Sequence, residues 1–264
     1  MRFAMFRGVF LSLVATLTVL VPNYSWAAPA AATQKETAPK ATGNAASTEL
    51  NEKGVQAVKS NDFAKAETLF RKSLSADSRN LTAVFNLAGV YLNNKRQKEA
   101  IALLNQYIKE YSKDAGLYAR RGDVYFSLKD LDAAGRDYEH ALKLEPEYPG
   151  VPSKLGTIYT LTRRTKDAEA MLMKAVAEEP KNGQLLQNLS ALFLINGKAQ
   201  ESISTAKRAL QVAPNSEVYV TLGNAYETLG DVKNSLISFQ RASDLGDTRP
   251  ELKAKIEELK KVNS

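Results

Sequence analysis

The 264-residue sequence has no cysteine, which excludes disulfides, thiolate nucleophiles and cysteine-ligated metals and leaves the redox compartment open. It has one histidine, His140. A Ser-His-Asp arrangement could be built only on that residue, and a typical zinc site cannot be assembled. On a helical stretch beside Glu139, His140 reads as a surface residue. Neither GxxxxGK[ST] nor GxGxxG occurs, so the common phosphate-cradling loops are missing, and no EF-hand loop pattern is present. Paired carboxylates such as Glu178-Glu179 and Glu257-Glu258 read as solvated helix faces. These absences argue against an enzyme, and they ask for no cofactor and no metal.

A spanning apolar run is also lacking. The stretch Val9 to Val21 covers 13 residues and is interrupted by Ser12, Thr16 and Thr18, whereas a membrane-crossing helix needs about 20 apolar residues. Arg2 and Arg7 precede or flank it, Pro22 breaks it, and Ser25, Trp26, Ala27 and Ala28 follow. This layout predicts a secretory signal peptide over residues 1–27, cut after Ala27 or after Ala30. An uncleaved inner-membrane anchor is the alternative. Residues 28–46 are Ala, Thr, Pro and Lys with almost no large apolar side chain, a composition that predicts a disordered linker.

The formal charge is +7. Lys and Arg are interleaved with Asp and Glu along the chain, so no basic stripe emerges and nucleic acid is not an expected partner. Without Arg2 and Arg7 the balance is 34 minus 29, or +5, an ordinary value for a soluble domain.

What the sequence does contain is a period. Small residues recur at Gly54, Ala88, Gly122, Gly156, Ser190 and Gly223, spaced 34, 34, 34, 34 and 33. Three positions later stand Ala57, Tyr91, Tyr125, Tyr159, Phe193 and Tyr226. A third row is Ala66, Ala100, Ala134, Ala168, Ser202 and Ser235, and a fourth is Phe70, Leu104, Tyr138, Leu172, Ala206 and Phe239. Pro146, Pro180 and Pro214 close three of the units. Apolar residues within each unit fall at helical spacing, as with Val84, Leu87 and Tyr91 and then Ala100, Leu104 and Tyr107, which predicts two amphipathic helices per unit. Asn93-Asn94 and Leu229-Gly230-Asp231 supply turn residues between them.

These rows resemble the tetratricopeptide repeat family, most closely at Tyr219, Leu222, Gly223 and Tyr226 and at Leu155, Gly156, Tyr159, Ala168 and Pro180. The resemblance implies an all-α fold, a right-handed α-solenoid of six tandem hairpins over 47–80, 81–114, 115–148, 149–182, 183–215 and 216–249. Residues 250–264 predict a capping helix, started by Pro250 and carrying Leu252, Ile256 and Leu259 on a charged surface. The segment Pro146 to Pro152 holds three prolines and reads as a rigid loop.

In this family the concave wall comes from the first helix of each unit. Counting from the small residues places Asn86, Arg120, Lys154 and Asn188 there as a ladder of donors, with Phe85 and Phe126 as apolar neighbours. Such a set suits a peptide backbone or carboxylate. The family's clamp for acidic tails is incomplete, because Asn51, Val55 and Gly116 stand where Lys, Asn and Lys are needed. The expected partner is therefore a protein or extended peptide. With the leader, this points to a scaffold exported across an inner membrane, in a periplasm, acting in envelope assembly or secretion and having no stable membrane span after cleavage. The alternatives are an oligomerisation module, including a homo-oligomer, acting through the convex face and terminal helix, and a glycan binder using Tyr118, Tyr125 and Phe126.

Overall fold

The computed structural model describes residues 44–263; the leader and residues 28–43 of the linker lie outside the described residues. Among the described residues there are thirteen helices and no strand. They divide into two compact units, 44–151 and 152–263.

The first unit holds α1 (Ala45–Lys59), α2 (Phe63–Ala76), α3 (Leu81–Asn93), α4 (Gln97–Glu110), α5 (Ala115–Ser127) and α6 (Leu131–Leu144), three hairpins in tandem. Asn44 caps α1 by accepting a bond from the Ser47 N–H, so the helix takes in Ala45 and Ala46, which composition assigns to the linker. Asn80 and Asp114 cap α3 and α5 in the same way, each satisfying an orphan donor of its first turn.

The small-residue row has a direct physical reason. A β-carbon added at Gly54 would meet the Phe70 ring at 2.5 Å, and one at Gly122 the Tyr138 ring at 2.8 Å. In these hairpins the residue sixteen positions on, from the second helix, presses onto the first helix backbone. Phe70, Leu104 and Tyr138 are fully buried there.

A polar interlock ties the first hairpin to the next. Ser47 and Ser73 each donate from the hydroxyl to the other's carbonyl, at 2.9 and 2.7 Å. The Asn80 amide donates to both hydroxyls at 2.9 and 3.2 Å while its oxygen caps α3. Every member is satisfied, which is what makes a buried polar cluster stabilising.

The second unit holds α7 (Val151–Leu161), α8 (Thr165–Glu178), α9 (Gly183–Ile195), α10 (Ala199–Val212), α11 (Ser216–Thr228), α12 (Val232–Asp244) and α13 (Pro250–Asn263). The same packing recurs, with Gly156 against Leu172 and Gly223 against Phe239. The apolar stripe of α13, Leu252, Ile256 and Leu259, is buried on Leu236, Phe239 and Ala242 of α12, and Lys255 reaches Glu227 of α11 at 2.8 Å. Burial of such side chains contributes at most about 1.5–3 kcal/mol each. The stripe offered by sequence to an oligomer is thus already covered within the chain.

The turn inside each hairpin repeats one backbone geometry. Asn61, Lys95, Lys129, Arg163, Gly197 and Gly230 all have positive φ, from 57° to 76°, one per unit at the period of the sequence. Turn chemistry read from Asn93-Asn94 falls one residue short: the left-handed residue is Lys95.

Candidate functional site

Of the donor row, Asn86 and Arg120 lie in the first unit and Lys154 and Asn188 in the second. Asn86, on α3, is 4% exposed, and its amide donates to the Asn51 oxygen at 3.0 Å. That bond joins α3 to α1, so Asn86 acts on the wall through Asn51.

Arg120, on α5, is set differently. Its side chain is 10% exposed and makes one hydrogen-bonded ion pair among the described residues, a 3.5 Å approach of Nη1 to Asp123 Oδ2. Asp123 also accepts a 2.7 Å bond from the Tyr138 hydroxyl. The remaining Arg120 donors have no partner among the described residues. A guanidinium held in that state keeps a demand for an acceptor oxygen.

Around the start of α5 the wall is crowded. A β-carbon on Gly116 would lie 2.9 Å from Phe85 Cζ, 3.1 Å from Asp114 Oδ1 and 3.1 Å from the Tyr148 hydroxyl. A lysine at that position, as in the family's acidic-tail clamp, would collide with two rings. Burial pushes the Tyr148 phenol up to about 12, although Arg120 draws it down. Burial also raises the Asp114 carboxyl, against the backbone N–H groups of Leu117 and Gly116, and raises Glu145, with Asp114 adding to the effect. Tyr148 occupies the place in the repeat where other units carry an Asn or Asp cap. The signal for Tyr148 in the sequence is this break in the row Asn80, Asp114, Asn182 and Asn215.

Phe85 and Phe126 are half-buried, Phe85 packing against the core of the first unit. In the second unit Lys154 is half-buried on α7. Asn188 on α9 is half-buried and accepts from Gln184 Nε2 at 3.0 Å, and its side-chain amide N–H groups have no partner among the described residues. Leu161, at the end of α7, is 42% exposed. The first helices of each unit therefore carry a side chain with unfilled donors, Arg120 in the first and Asn188 in the second, together with partly exposed apolar residues.

His140 lies against Tyr118, ring centroids 4.1 Å apart, and Tyr118 donates to the Ser112 carbonyl at 3.2 Å. The Arg121 guanidinium sits 5.6 Å over the same ring. The glycan-stacking face of Tyr118 is occupied by these neighbours. Among the described residues no group of His, Asp or Glu is placed to hold a metal, and no helix is long and apolar enough to cross a membrane.

The sequence profile described as tetratricopeptide repeat matches residues 57–120 and 125–192, and a second profile of that description matches 216–245. The chain is 24% identical over 190 residues to the BBSome complex member BBS4 homolog of Drosophila melanogaster, covering 71% of this chain and 39% of that protein. It is 28% identical over 162 residues to the protein O-mannosyl-transferase Tmtc3 of the same organism, covering 60% of this chain and 18% of that one. The match thus spans well under half of either relative. Among solved structures, YrrB, described as a TPR protein with an unusual peptide-binding site, superposes with a TM-score of 0.66 at 18% identity, covering 72% of this chain and 97% of that one; this likeness is one of fold. With profiles matching more than half of its length and the hairpin packing repeating at the period of its sequence, the chain belongs to the tetratricopeptide repeat family, whose members are helical scaffolds for protein interaction.

Proposed function

We propose that the protein is a non-enzymatic scaffold that holds a protein segment or extended peptide on the faces of its first helices. The observation that carries this reading is Arg120: a nine-tenths buried guanidinium with a single 3.5 Å partner is poised to donate to a peptide carbonyl or carboxylate. Asn188 offers unfilled side-chain amide donors in the second unit, with Lys154 on the same row, and the half-buried Phe85 and Phe126 supply apolar surface on the first helices of the first unit. Asn86 holds the wall in place. The leader layout of residues 1–27 supports placing this work in the periplasm, in envelope assembly or secretion. That step is one of association, because one fold hosts many functions.

The test is photo-crosslinking from two positions of the intact chain, Phe126 on the first-helix face and Arg136 on the exposed side of α6. A defined polypeptide captured from Phe126, and no longer captured in an Arg120→Glu background of unchanged helicity, is the expected result. Capture from Arg136 alone would overturn the reading.

A further inference from the structure

On α5, Gly116, Arg120 and Asp123 follow one another at helical-turn spacing and share one face. Two side chains from elsewhere in the first unit close round it. The place of a Gly116 β-carbon is 2.9 Å from Phe85 Cζ, on α3, 3.1 Å from the Tyr148 hydroxyl, in the segment after α6, and 3.1 Å from Asp114 Oδ1. The Tyr148 hydroxyl has no hydrogen-bond partner among the described residues. Burial pushes its pKa up to about 12, so at neutral pH it keeps its proton and is a second unfilled donor beside Arg120.

The charge around these donors is negative. Asp114, Asp123 and Glu145 bear on the Tyr148 phenol against Arg120, three carboxylates to one guanidinium. Asp123 is spent on Arg120 and on the Tyr138 hydroxyl. Asp114 caps α5 through the Leu117 N–H, and the Glu145 carboxylate has no partner among the described residues. Burial raises Asp114 and Glu145, and Asp114 adds to the rise at Glu145. A ligand carboxylate at Arg120 would bring a further negative charge into this group. A backbone carbonyl would not, and a cationic side chain beside it would meet Asp114 and Glu145. Where the family's acidic-tail clamp needs Lys, Gly116 leaves Asp114 without a counter-charge.

We propose that this face selects a basic extended segment: a backbone carbonyl accepts from Arg120 and from the Tyr148 hydroxyl, and a neighbouring Lys or Arg lays its stem on Phe85 and its charge towards Asp114 and Glu145. Tyr148 is then a specificity-determining residue, and the partner is opposite in charge to an acidic tail. The proposal rests on the peptide reading of the wall and narrows it to one class of partner.

The test is competition with photo-capture from Phe126 in the intact chain. The probes are end-blocked peptides of the same Ala and Leu content that carry Lys, Gln or Glu at the same positions. The Lys peptide should compete best and the Glu peptide worst, at least about tenfold apart, and the gap should narrow between about 10 mM and about 150 mM salt. Tyr148→Phe should weaken competition by the Lys peptide about threefold to tenfold without lowering the melting temperature, a split that a merely structural tyrosine would not give. Asp114→Asn, which keeps a capping oxygen, should narrow the gap between Lys and Glu peptides. Capture at Phe126 that the Glu peptide displaces best, that no peptide displaces, or that is displaced equally in parent and Tyr148→Phe would overturn this proposal and leave the peptide reading standing. No capture at Phe126 would overturn both.

Discussion

A β-carbon at Gly122 would sit only 2.8 Å from the Tyr138 ring, inside van der Waals contact, and that crowding explains a whole row of the sequence. Gly122→Ala should destabilise by about 1–2 kcal/mol, the cost of overpacking less the helix propensity gained. Gly156→Ala should cost less, because its neighbour is the flexible end of Leu172 at 3.0 Å. Denaturant titration of both variants checks the ranking; equal costs would contradict it. The third row gives an effect of opposite sign. Ser202 and Ser235 stand where four units have alanine, and their buried hydroxyls have no partner among the described residues. Ser202→Ala/Ser235→Ala should therefore raise stability by about 1 kcal/mol per site, seen as a higher unfolding midpoint. An unchanged or lower midpoint would mean that water fills those positions.

The elements were legible because amphipathic spacing and the small-residue rows both repeat at one period, so two helices per unit follow from Val84, Leu87 and Tyr91 and from Ala100 and Leu104 alone. The turn between them was less so. Lys95, Lys129 and Arg163 are not residues that announce a left-handed backbone, and only alignment with Gly197 and Gly230 exposes them. Replacing Lys95 or Lys129 with glycine should stabilise by about 0.5–1 kcal/mol each, relieving the β-carbon clash while giving back some chain entropy. A thermal melt that shows a loss would contradict that backbone assignment. The neighbouring row behaves as a pair of alternatives. Asp62, Asp130 and Asp231 cap the second helices, whereas Arg96, Arg164 and Lys198 make no cap bond and lie over Tyr91, Tyr159 and Phe193 at 4.6, 4.0 and 5.9 Å. Arg96 and Lys198 also bridge to an acid of the preceding hairpin, Glu67 and Glu169. The candidate wall was legible only as a row of positions. Whether a polar side chain there is free or spent depends on a neighbour 35 residues away, as Asn51 is from Asn86, and no single-unit pattern contains that information.

Across the molecule, acid stability divides into two groups. Asp77 is lowered to about 2 by Arg79 and by the backbone N–H groups of Arg79 and Asn44; Glu67, Glu169 and Asp247 are also lowered, through Arg and Lys partners working against burial. Their contribution is complete above the ordinary carboxylate range and is lost as pH falls towards 2. Asp114, Glu145 and Glu217 are raised by burial, so their contribution is full at low pH and is lost as pH rises through the folded value. Asp114→Asn keeps a capping oxygen for the Leu117 N–H and should stabilise at neutral pH but not at about pH 3. Urea unfolding of parent and variant at both pH values measures this difference, and a pH-independent effect would contradict the burial origin of the shift. The central claim, that first-helix faces hold a polypeptide, is tested most directly by hydrogen exchange of the chain with and without its captured partner. Protection concentrated in α3, α5, α7 and α9 is the predicted result; protection confined to α4, α6, α8 and α10, or to α13, would contradict it.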